Sequence, residues 1–103
     1  MANDLNNDLE ALNLASAAMT AISARYRTAA PEERSALWEA RDSAWTAYAS
    51  ARQRLLQHGA LVSDEQLDSI RDLRDTLSVT AETANVARAA QQLVQVLGRI
   101  SLI

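Results

Sequence analysis

Gln57-His58-Gly59-Ala60-Leu61-Val62-Ser63-Asp64-Glu65-Gln66-Leu67 closes one helix and opens the next. Gly59 follows a run of good helix formers, and glycine in that place takes the left-handed backbone that stops a helix. Ser63, with Gln66 three positions on, has the pattern of a capping box, in which each side chain satisfies the other's backbone N–H. The stop and the start are so close that the second helix must run back along the first. The stretch thus predicts an antiparallel helical arrangement, and the rest of the chain extends it in both directions.

Upstream, Pro31 suits the first position of a helix, where its missing N–H costs nothing, and Glu32 and Glu33 favour the positive end of the helix dipole. Before it, Leu5, Leu9, Leu12, Met19, Ile22 and Tyr26 recur at helical spacing, with Asn3 or Asp4 as cap and Asp8 also suited to the dipole. Downstream, Leu67, Ile70, Leu73, Leu77, Ala81, Ala84, Ala87, Val94 and Leu97 make an inner face, and Gly98 reads as its end. The expectation is an all-α, single-domain chain over 1–103: an antiparallel bundle of three long helices at about 4–29, 31–57 and 64–97. At 1.5 Å per residue the third helix would be about 50 Å long against roughly 40 Å for the others. It must therefore overhang, or kink near Ser78-Val79-Thr80, where helix formers are weaker. The continuous form is preferred because the segment holds neither Gly nor Pro.

Composition excludes several classes. The chain of 103 residues has no cysteine, so disulfides, thiolate metal sites and cysteine nucleophiles are out. Its N-terminus lacks the basic and apolar regions of a secretory signal, no run is long enough to span a membrane, and the expected location is cytoplasmic. The net charge is −3, which disfavours nucleic acid as main partner. All basic residues are arginine, and Arg25, Arg27 and Arg34 cluster at the first turn among Glu32 and Glu33. Two long helices suggest the secreted WXG-type hairpins, but no Trp-x-Gly occurs at either turn, and Tyr26 and Tyr48 lack an acidic residue four positions later.

No catalytic or cofactor motif stands out. His58 is the only histidine and adjoins Gly59, which suits interaction with terminal carbonyls rather than metal binding. The segment from Asp64 to Asp75 offers Asp68–Arg71 and Arg71–Asp75 pairs on a solvated face. On the second helix, Ala36, Ala40, Ala44, Ala47 and Ala51 form a column that admits a close neighbour. Trp38 and Trp45 flank its apolar stripe, with Arg41 between them and Glu82 as a candidate partner for Arg41. About the turn at Ala30–Pro31, Trp45 comes level with Ser16 and Trp38 with Ser23, a large-against-small match that suits packing. The alternative use of Trp38, Arg41 and Trp45 is contact with a small ligand, an anion or a protein. The last signal is surplus apolar surface, above all Val86, Leu93, Val96, Leu97, Ile100, Leu102 and Ile103. It predicts a homodimer through Leu93, Val96, Leu97, Ile100, Leu102 and Ile103. The function expected is a small non-enzymatic protein–protein interaction module, an adaptor, inhibitor or regulatory subunit without cofactor or metal, acting on itself and an unidentified protein.

Overall fold

The computed structural model describes residues 5–59, 61–80 and 82–102. They form four α-helices and no β-strand: α1 (Leu5–Thr28), α2 (Arg34–His58), α3 (Asp64–Val79) and α4 (Thr83–Leu102). The expected caps Asn3 and Asp4, and also Ala81 and Ile103, lie outside the described residues, as do the side chains of Leu5 and Leu102.

The all-α reading holds, but the three-helix bundle does not. The third stretch breaks after Val79, where Thr80 turns to extended backbone with φ −80° and ψ 140°. The reason is one of phase. Leu67, Ile70, Leu73 and Leu77 are buried on α3, and Val86, Ala90, Leu93, Leu97 and Ile100 on α4. At 3.6 residues per turn these two stripes would stand on nearly opposite sides of one continuous helix. Only a break lets both face the same core. Without it one stripe would be left in water, a loss far larger than the few hydrogen bonds of an interrupted helix. Ala84 is consequently exposed rather than inside. Gly98 is no terminator either; α4 passes through it to Leu102.

The stop at Gly59 and the start at Ser63 read from the central segment both hold in place. Ser63 Oγ accepts from the Gln66 N–H at 3.1 Å, and Gln66 Oε1 accepts from the Ser63 N–H at 3.1 Å. Gly59 has φ 66° and ψ 164°, a glycine-favoured region but not the left-handed helical one, and its N–H donates to Leu55 O. Pro31 heads a 3₁₀ turn (Pro31–Glu33) rather than the α-helix itself.

In cross-section the helices follow the ring order α1–α2–α4–α3. The turn at 29–33 makes α1 and α2 antiparallel neighbours. The connection at 59–63 does not do the same for α2 and α3, which hardly touch because they occupy one diagonal. α3 instead runs beside α1 in the same direction: Asn7 bonds Asp64, and Glu10 bonds Arg71 further along. α2 lies alongside α4 in the broadest contact of the molecule. Ala40, Ala44 and Ala51 of the expected small column are buried, with Ala89 and Ala90 across on α4.

One buried carboxylate secures the diagonal crossing. Asp8 is 4% exposed, and its Oδ1 accepts from the N–H groups of Leu61 and Val62, both at 3.0 Å. Asn7 Nδ2 donates to Val62 O at 3.1 Å and to Asp64 Oδ1 at 2.8 Å. The first helix thus grips the loop between the second and third. The core runs through all four helices. It uses Leu14 and several alanines on a second side of α1, because α1 has two neighbours to meet.

Candidate functional site

Much of the apolar surplus disappears inside the chain. Leu93 and Ile100 are 0% exposed and Leu97 1%, so these three expected dimer residues are core residues of their own bundle. The fourth helix created by the break covers the very surface that seemed to need a second subunit. Val96 is half-buried and lines a groove of about 470 Å³ between α3 and α4 with Ser63, Gln66 and Arg99.

Apart from Val79 at the end of α3, the large apolar side chains that remain exposed are on the outer side of the α1–α2 hairpin. Trp38 is 49% exposed and Trp45 43%, and Leu9 and Leu56 expose 58% and 61%. The tryptophans are therefore not interior packing residues. They are also not loose. Tyr26 of α1 lies 5.8 Å from the Trp38 ring, and Tyr48 meets Trp45 edge-on at 5.9 Å. Arg41 is held between the helices. Its Nε donates to Ser23 Oγ at 3.1 Å and its guanidinium stacks over Trp38 at 5.5 Å. Glu82 is not its partner; Glu82 accepts from Asn85 instead. At the other end of the same hairpin, Leu9, Leu12, Leu55 and Leu56 border a groove of about 390 Å³ beside His58 and Gly59. His58 is exposed, at the end of α2.

Trp38, Arg41 and Trp45 are thus brought to one face, which their sequence grouping suggested. The other members of that face were not identified from sequence. Asp42, Ala49, Arg52 and Leu56 are all exposed on α2. With Trp38 and Trp45 they follow an alternating spacing of four and three, the pattern of a helix that presents a seam. The signal was legible as Trp38-Asp42-Trp45-Ala49-Arg52-Leu56. It was masked because the alanine column beside it seemed to account for α2.

Elsewhere the charges behave as a solvated surface. Asp68 pairs with Arg71 at 3.0 Å, as expected, but Arg71 turns its other nitrogen to Glu10 of α1 and Asp75 takes Arg74 at 2.7 Å. Exposed pairs of this kind contribute at most about 1 kcal/mol each. Among the described residues no group of three His, Cys, Asp or Glu is placed to hold a metal ion, and no helix is long and apolar enough to cross a membrane. No protein-family model, no curated protein and no solved structure matches the chain.

Proposed function

We propose that the chain is a non-enzymatic protein–protein interaction module, an adaptor, inhibitor or regulatory subunit, whose contact surface is the outer side of the α1–α2 hairpin. The supporting observation is the pair of half-exposed tryptophans held in place by Tyr26, Arg41 and Tyr48 on a helix whose opposite side is core. Large aromatics and arginine dominate the energetic centres of interfaces, and rigid ones lose little entropy on binding. The test compares the wild-type chain with a Trp38→Ala/Trp45→Ala double variant. Each is analysed by light scattering and by capture from lysate of the cells that make it. The reading requires an association, with itself or with another protein, that the double variant loses while keeping its helical circular dichroism. Equal behaviour of the two chains would refute it.

A second reading has its own observation. Among the described residues the Arg41 guanidinium has no acidic partner. A small anion bound there would move the guanidinium off Trp38 and change the indole emission. Inorganic phosphate and a panel of carboxylates should then give a saturable change in the emission of the wild type and not of Arg41→Ala; no saturable change sets this reading aside.

A further inference from the structure

We infer that the partner on this face is a second copy of the chain, with the two α2 helices packed antiparallel across a twofold axis near residue 47. The inference rests on the interaction-module reading and names its partner. It comes from reading the exposed seam of α2 backwards. In order the seam is Trp38, Asp42, Trp45, Ala49, Arg52 and Leu56, and all six are exposed. In a twofold interface residue i meets j while j meets i. Placing the axis near residue 47 sets Trp38 against Leu56 of the second copy, Asp42 against its Arg52, and Trp45 against its Ala49. Every pair is complementary: apolar with apolar, acid with base, large with small.

Two further observations support this arrangement. Among the described residues neither the Asp42 carboxylate nor the Arg52 guanidinium has a side-chain partner within its own chain. Both are therefore available to the other copy. The groove of about 390 Å³ bordered by Leu9, Leu12 and Leu56 lies where Trp38 of the second copy would arrive, so an indole has an apolar seat at each end of the interface. A parallel pairing of the same seams would oppose Asp42 to Asp42 and Arg52 to Arg52, so the charges select the antiparallel form.

Sedimentation equilibrium or light scattering over a wide concentration range tests this, with Asp42→Arg, Arg52→Asp and the combined exchange. The wild type should be a dimer. Each single reversal should weaken it by about tenfold or more, since each unlike pair occurs twice and becomes a like pair. The combined exchange should restore wild-type association to within about threefold, because the pairs are then re-formed with reversed polarity. Both positions are exposed, so circular dichroism and the melting temperature of the monomer should not change. A wild type that stays monomeric overturns the second copy as partner. The module reading is then judged separately by the lysate comparison with Trp38→Ala/Trp45→Ala. A dimer indifferent to the single reversals, or not restored by the exchange, overturns the antiparallel arrangement.

Discussion

Asp8 shows how one side chain can carry a topological decision. It falls in phase with Ala11, Ala15, Ala18 and Ile22, so helical geometry turns its carboxylate inward. The loop it meets has two backbone N–H groups, on Leu61 and Val62, that no helix or strand supplies with an acceptor. Asp8→Ala would leave the buried Val62 donor and the part-buried Leu61 donor unmet, and a loss of about 3 kcal/mol in urea unfolding is expected. Asp8→Asn keeps an acceptor oxygen and should lose less. The two glycines give opposite expectations. Gly59 holds a backbone that other residues reach only with strain, so Gly59→Ala should cost about 1–3 kcal/mol. Gly98 sits inside α4, and a Cβ added there meets nothing within 4 Å. Gly98→Ala should therefore stabilise the chain by about 0.5–1 kcal/mol, seen as a higher urea midpoint. Sequence alone treated both as helix stops, because glycine's preference for helix ends is a tendency and the core contacts of Leu97 and Ile100 outweigh it.

At the scale of elements, the interruption between α3 and α4 is the feature that reshapes the molecule. Neither Gly nor Pro marks it. Ser78-Val79-Thr80 weakens the helix only slightly, and the reversal of the buried stripe does the rest. Thr83→Pro distinguishes the two descriptions. In the interior of one continuous helix proline costs about 3 kcal/mol or more. At the first residue of α4 its missing N–H has no helical partner to lose. The expected change in unfolding free energy is under about 1 kcal/mol, with helical circular dichroism retained. The capping box needed no tertiary context and was readable in four residues, because both of its hydrogen bonds close within one turn.

For the whole molecule, the fourth helix changes what its surface offers. A three-helix chain would leave Leu93, Leu97 and Ile100 for another subunit; the four-helix ring uses them itself. Leu93→Ala should then cost about 2–5 kcal/mol of unfolding free energy at every protein concentration, as a cavity in the chain's own core does. A loss that vanishes on dilution would instead return Leu93 to an intermolecular contact. The ring order also explains why the candidate face lies on α1 and α2. α2 turns Leu37, Ala44, Ala51 and Leu55 inward, and among the described residues no neighbouring helix covers its exposed seam.

The helical class, the central capping box, the antiparallel first hairpin and the grouping of Trp38, Arg41 and Trp45 were determined by the sequence itself. Each depends on residues within a few turns of one another, where spacing and cap chemistry act directly. The ring order, the place of Leu93, Leu97 and Ile100 in the core, and the outward seating of the tryptophans were decided only by tertiary structure. They depend on which of several apolar stripes find partners. That is a competition among whole helices for one interior, and burial of the α3 and α4 stripes together won it.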